Sequence, residues 1–353
     1  MPTHPLERLQ PGDVVLDAIP EAIEATVKQR NAWLRSLQPG GGGLEFLVSD
    51  VQSWTPGQTV RVAFLGGDTA LHKDIADATT EISDVANLVL DFGRDPTTGE
   101  YRTWSEDDTT HAAEIRVSFD KGGYFSLVGT DSVDSSIGAG NIGGGPGQCS
   151  LNFGGFTVTR PQTWLGTTRH EFLHALSFHH SHQNMRGPCE QAFRWDDDPG
   201  YVRTQDTRGA FIPDASGRRP GIYTYLSGFP NFWSKPKVDH NLKTEDDPAT
   251  VAGPFDRHSV MLYRFPALFY KDPNSTCLPA GDGISLSDGD KRGLRLLYPH
   301  TAPQVEAIAA RRREALNVIE DGLALEGLET GSVAAHKHGR RIADALRERL
   351  GLD

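Results

Sequence analysis

The sequence predicts an α/β fold with an irregular second half and a helical C-terminal extension, and three observations carry that reading. A strand at Val60–Leu65 is followed by a helix from Thr69 to Leu88 and by strands at Val89–Phe92 and Ala113–Phe119, the opening of an α/β sandwich. Residues 181–257 show little periodicity and are rich in Asp, Pro, Gly and Arg. Residues 303–325 and 333–350 carry the apolar spacing of two amphipathic helices, the first marked by Val305, Ile308, Leu316, Ile319 and Leu323. With 38 Gly and 22 Pro in 353 residues, the chain calls for many loops rather than a helical bundle.

In order along the chain, residues 21–37 form a helix with Ile23, Val27, Trp33, Leu34 and Leu37 on one face. Gly40 to Gly43 then break the chain, setting residues 1–50 apart as an N-terminal extension. In the helix at 69–88, Leu71, Ile75, Ala78, Ile82 and Val85 step by three and four. In the strand at 113–119, Ile115, Val117 and Phe119 alternate with Glu114, Arg116 and Ser118, so one buried face is expected. Residues 131–148 contain Gly138-Ala-Gly140-Asn-Ile-Gly143, formally a dinucleotide fingerprint. No strand runs directly into it, and Gly144, Gly145 and Pro146 stand where a helix should begin, so a mobile surface loop is expected instead. A short strand at Cys149–Phe153, a helix from Thr163 to Ser177 and a helix from Asp288 to Leu297 complete a body spanning 55–300. Its upper part covers 55–180 and its lower part 181–300. Residues 301–353 form a helical extension, with Arg311 to Arg313 as a solvated face.

Lys and Arg number 35 against 47 Asp and Glu, a net charge of −12, which argues against a nucleic-acid binder. No apolar run approaches the roughly 18 residues that cross a bilayer. Three cysteines permit one bridge, and Cys189 with Cys277, both in the lower part, are the expected pair. The first 20 residues carry four prolines and no basic-then-apolar leader, which leaves export by another route, a trimmed leader and an internal location all open.

The chemistry is concentrated in one helix. Five of the 13 histidines fall between His170 and His182. In His170-Glu171-Phe172-Leu173-His174 the two imidazoles are four residues apart, so they leave one face of a helix a turn apart and can share a Zn²⁺. Glu171 sits beside them, placed to take a proton from a water at the metal. His180 supplies a third ligand if the helix stops and the chain swings back, with Ser177 at the turning position. His179, His182 and His258 read as neighbours of the site with structural roles.

This segment resembles the zinc motif of the metzincin peptidases. Ser259-Val260-Met261-Leu262-Tyr263 resembles their methionine turn, in the Ser-x-Met-x-Tyr form of the astacin branch. Val60–Phe64, Glu114–Phe119, Val128–Asp131 and Leu151–Gly154 resemble the strands of bacterial astacin-like enzymes, and Asp290–Pro299 their closing helix. The resemblance implies a metzincin-like domain, a twisted mixed sheet with its active-site helix above an irregular lower part. It implies a zinc endopeptidase with His170, His174 and His180 as ligands and Glu171 as general base and acid. Tyr263 would bind zinc at rest and swing away to stabilise the oxyanion. Protein or peptide substrates are expected along an edge strand near Leu151–Phe153. Ser177 departs from the usual glycine, Ser181 from a usual glutamate, and three cysteines cannot make the two bridges of animal astacins. Prosegments of that family block zinc with an aspartate in Phe-x-Gly-Asp. Leu9-Gln-Pro-Gly12-Asp13 resembles it loosely, with a simple turn as the plainer reading of Asp13. The competing function is a zinc-retaining binding or toxin-like module.

Overall fold

A computed structural model describes residues 16–37, 47–183, 187–244, 254–326 and 333–352. In chain order its elements are α1 (Glu21–Ser36), α2 (Leu47–Gln52), β1 (Thr59–Leu65), α3 (Thr69–Ala78), α4 (Thr80–Val85), β2 (Val89–Asp91), β3 (Ile115–Ser118), β4 (Tyr124–Ser126), β5 (Gly138–Ala139), β6 (Ile142–Gly143), β7 (Leu151–Phe153), α5 (Trp164–Ala175), α6 (Cys189–Ala192), β8 (Thr204–Gln205), β9 (Phe211–Ile212), α7 (Ile222–Leu226), α8 (Lys235–Leu242), α9 (Asp288–Leu297), α10 (Ala302–Glu326) and α11 (Val333–Leu350). The expected α/β class is present. The predicted helix at 69–88 is two helices, because Asp68 caps α3 at its start and the chain re-enters α4 at Thr79. Among the described residues, no helix is long and apolar enough to cross a membrane.

The main sheet has the order β2-β1-β3-β7-β4. Its first four strands are parallel, and β4 pairs antiparallel with β7, Tyr124 opposite Phe153 and Ser126 opposite Leu151. The edge on that side is therefore β4. Leu151–Phe153, expected near the edge, lies inside the sheet. Three residues following Gly122-Gly123 give no readable alternation, which is why β4 escaped the pattern. Val60, Val62, Phe64, Ile115, Val117, Leu151 and Phe153 are fully buried and pack with Phe172, Leu173 and Leu176 around α5, joining sheet and helix in one core.

Strand β3 is buried on both faces, not one. Arg116, expected outward, is fully buried. Its guanidinium donates to five backbone carbonyls: Gln148 at 2.7 Å, Ala113 at 3.0 Å, Glu114 at 3.2 Å, Ser132 at 2.5 Å and Gly143 at 3.1 Å. Burial pulls its pKa down to about 10. Three of those carbonyls belong to the Gly-rich stretch, which forms the β5–β6 hairpin and also accepts from His111 at Gly144 O. The stretch is thus folded around a buried cation rather than mobile, since buried carbonyls need donors and Arg supplies a fork of them.

Below the sheet, Phe193, Ile222, Leu226, Val238, Leu262, Phe265 and Phe269 form a second core. Cys189 and Cys277 bridge within it, their Cα atoms 5.1 Å apart, while Cys149 is free and buried in the upper half. A third core joins both ends of the chain: Trp33 and Leu34 of α1, Val51 of α2, Ala315, Leu316 and Ile319 of α10, and Ile342, Ala343 and Leu346 of α11. Arg312, expected in solvent, is buried there and donates to Ser53 O, Ser53 Oγ, Trp54 O and Thr55 Oγ1. Arg311 pairs with Asp50 at 2.9 Å, and Arg313 alone of the three is exposed.

The bridge closes a separation of 88 residues. In the chain-entropy model that is worth about 4–5 kcal/mol. A Cys189→Ser, Cys277→Ser double variant should lose about that much in denaturant unfolding, and non-reducing peptide mapping should find Cys149 unlinked. A linked Cys149 would contradict the fold.

Candidate metal centre

Helix α5 is seated by a close approach. Gly166 lies against the backbone of Gly283, whose carbonyl oxygen would be 2.0 Å from any Cβ added there. Seven residues of its C-terminal stretch, Thr168 and His170 to Ala175, are buried. Its end is built with care for the unpaired carbonyls. Phe178 N–H donates to Leu173 O and Ser177 N–H to His174 O, the two bonds of a Schellman closure. That closure needs a left-handed residue, and Ser177 has φ 72°. A residue other than glycine costs roughly 1–2 kcal/mol there. Here the Ser177 hydroxyl donates to Gln52 O at 2.9 Å, an offsetting contact glycine could not make. Trp54 Nε1 covers Ala175 O at 2.8 Å and Tyr298 Oη covers Leu176 O at 3.1 Å. The reversal carries the chain back so that His180 faces the helix it has just left.

Each of the three imidazoles has its Nδ1 held. His170 Nδ1 lies 2.7 Å from Val260 O, His174 Nδ1 2.7 Å from Phe178 O, and His180 Nδ1 3.2 Å from Gln183 Oε1. With Nδ1 donating, the lone pair of each neutral ring is on Nε2. The three Nε2 atoms meet at one point, His174 and His180 only 3.1 Å apart. The Asp17 carboxylate meets them, at 3.2 Å from His170, 3.3 Å from His174 and 3.0 Å from His180. These four residues are all buried, and their donor atoms lie within 4.8 Å of one another. Four donors about 2.0–2.1 Å from one tetrahedral zinc stand about 3.3 Å from each other, so the donor set fits that ion. His170 Nε2 is buried and faces Asp17 Oδ1 at 3.2 Å, inside the same cluster of donor atoms.

The electrostatics follow from that crowding. Burial pushes His174 down to about 3. Burial also opposes charge on His170, but the Asp17 carboxylate outweighs it and raises the pKa. For Asp17, burial is outweighed by His180 and His170, which hold the carboxyl well below its usual range. Glu171 is buried with Oε2 unpartnered among the described residues. Burial first, then the nearby Asp17 charge, drives its pKa well up.

The methionine turn braces this centre through its backbone. Val260 O holds His170, and Met261 O accepts from Ser181 N–H at 2.9 Å, directly after His180. Asp290 of α9 anchors the turn in return, accepting from Ser259 Oγ at 2.5 Å and Val260 N–H at 3.1 Å. Met261 itself is buried in the main core. Tyr263 stacks on His170 at 6.2 Å between centroids and tilts against His180 at 4.4 Å. Its hydroxyl donates to Asp17 O at 2.7 Å. His179 is half-buried and His258 exposed; the His182 side chain lies outside the described residues.

Asp17 is the residue that sequence reasoning missed. Asp13, read more plainly as a turn than as a zinc-blocking aspartate, lies outside the described residues, and the carboxylate among the histidines comes from four positions later. Leu16 N–H donates to Asn231 Oδ1 at 2.9 Å and Ala18 N–H to Tyr124 O of edge strand β4 at 3.3 Å. The strip 16–18 thus spans from the lower part to the sheet edge, across the histidines. Gln183 was also missed; its place three residues after His180 was the available signal.

The histidine helix, its left-handed exit at Ser177 and the turn that carries Met261 thus meet around one cluster of donor atoms. No protein-family model and no curated protein matches the chain. Among solved structures it is similar to two of myroilysin. One is 25% identical over 71% of this chain and 97% of that one, with a TM-score of 0.47. The other is 22% identical over 82% and 99%, with a TM-score of 0.41. It is also similar to high choriolytic enzyme 1, a hatching enzyme zinc-protease from the medaka fish Oryzias latipes, at 17% identity over 71% and 96%, with a TM-score of 0.40.

Proposed function

We propose that this chain is a zinc-dependent endopeptidase folded as a latent precursor, with its own N-terminal segment across the active site. The observation that carries the reading is the pairing of three converging Nε2 atoms with the buried carboxyl of the adjacent Glu171, whose Oε2 has no hydrogen bond among the described residues. A Zn²⁺ held by His170, His174 and His180 would supply Lewis-acid polarisation of a scissile carbonyl and a water of lowered pKa. Glu171, with its pKa raised by burial, accepts a proton from the attacking water and returns it to the leaving amine. Strand β4 offers the sheet edge along which an extended peptide would pair once residues 16–18, bonded to Tyr124 O, have left it. Tyr263 stands beside two of the ligands with a hydroxyl that stabilises the oxyanion once Asp17 O no longer engages it.

Asp17 supports latency because it occupies the position a catalytic water needs, and carboxylate oxygen is a competent zinc ligand. The same four donors favour a second reading, a closed structural zinc in a binding module. Against that stands the cost of burying Glu171 Oε2 without a hydrogen bond among the described residues, which a purely structural site has no reason to bear.

Asp17→Ala in the full chain should raise cleavage of an unbiased peptide library about tenfold or more, an occlusion of at least about 1.4 kcal/mol. Wild-type silence in both proteins, with zinc bound, would favour the structural reading. Adding Glu171→Ala should lower that activity by about 10²–10⁴-fold, the share of a general base, at unchanged zinc content. His180→Ala should bind zinc substoichiometrically by elemental analysis; full occupancy would remove His180 from the centre.

A further inference from the structure

Residues 16–18 are held by Asn231, Tyr124, Tyr263 and the three imidazoles, and the helix that follows adds a second hold on Asp17. Helix α1 follows directly. Its first half lies on the body: Ile23 packs with Leu127 and Ile137, and Glu24 accepts from Asn241 Nδ2 at 3.1 Å. Arg30 forms a buried ion pair with Asp131, which also accepts from Gln52 Nε2 at 3.0 Å. Its second half lies on the α10–α11 hairpin, through Trp33, Leu34 and Leu37.

The hairpin is shaped for those side chains. A Cβ on Gly322 of α10 would stand 2.4 Å from Leu37 Cδ2, and one on Gly339 of α11 would stand 2.4 Å from Trp33 Cη2. Glycine inside a helix costs up to about 1 kcal/mol against alanine, so two such notches, one opposite Trp33 of α1 and one opposite Leu37 just after it, mark a fitted contact. The hairpin is itself fixed to the body. Arg312 reaches the 53–55 backbone, and Arg349 Nη1 donates to Val51 O at 2.8 Å. His338 Nδ1 meets Ser136 Oγ at 2.8 Å.

We infer that the C-terminal hairpin is the binding surface for α1, and that it keeps the N-terminal segment docked after the chain between α1 and α2 has been cut. The inference rests on the latency reading for its consequence, since a docked α1 keeps Asp17 among the histidines. One cut near Gly40–Gly43 then leaves the centre covered, and exposure needs a second event that loosens the hairpin.

The test replaces Gly40–Gly43 with a specific protease site, cuts the purified full chain, and follows the N-terminal fragment by size-exclusion chromatography and mass spectrometry. In the otherwise wild-type chain the fragment should co-elute with the body. With Gly322→Leu and Gly339→Leu, which fill both notches, the retained fraction should fall at least tenfold. Trp33→Ala, which leaves the hairpin sequence intact, should weaken retention in the same direction and covers the case in which the double variant misfolds. Release of the wild-type fragment on cutting, or undiminished retention in Trp33→Ala and the double variant, would overturn the inference. Retention accompanied by peptide cleavage as fast as that of Asp17→Ala would support the hairpin's role while removing the latency reading.

Discussion

The centre depends on where three protons sit. Each imidazole gives its Nδ1 proton to an oxygen, two of them backbone carbonyls, and that alone turns the three Nε2 lone pairs toward one point. The carbonyls are available because of larger commitments. Phe178 O is free to accept since the Schellman closure ends α5 there, and Val260 O is presented by a turn that Asp290 holds by its backbone and hydroxyl. Loss of either would release a ring to rotate before any ligand was removed.

What could be read from sequence was local. The 4-plus-6 histidine spacing lies within 11 residues, and the boundaries of α1, α9, α10 and α11 follow from periodicity that needs no knowledge of the rest of the chain. The turning role of Ser177 was legible for the same reason. Asp17 was not, because it meets His180 across 163 positions of sequence and carries no motif of its own. Arg116 was misjudged because alternation assigns faces by polarity, while the fold satisfied a buried guanidinium with carbonyls from a loop that looked like solvent-exposed glycine. Arg312 fell to the same error: a charged triplet on a helix reads as surface until the third core is seen to close over it.

These two arginines show a common device. Among the described residues neither pairs with a carboxylate; each spreads its donors over backbone oxygens. Arg116 thereby fixes a Gly-rich segment that has little apolar content to hold it, and Arg312 fixes the 53–55 backbone beside Trp54, which caps α5. The position of the histidine helix is thus tied to the C-terminal extension through Arg312, with Arg349 and Arg311 holding the residues just before that backbone.

The burial of Cys149 bears on how the chain survives oxidation. Its thiol is fully enclosed and its pKa is pushed to about 12 by that burial. At neutral pH the buried thiol stays protonated, and the thiolate is the form that attacks a disulfide. Once the upper sheet has closed, the third cysteine is chemically silent toward the Cys189–Cys277 bridge. Exchange with the bridge is confined to molecules in which the upper sheet has not formed or has reopened, so the stability of the upper half guards a bond that lies in the lower one.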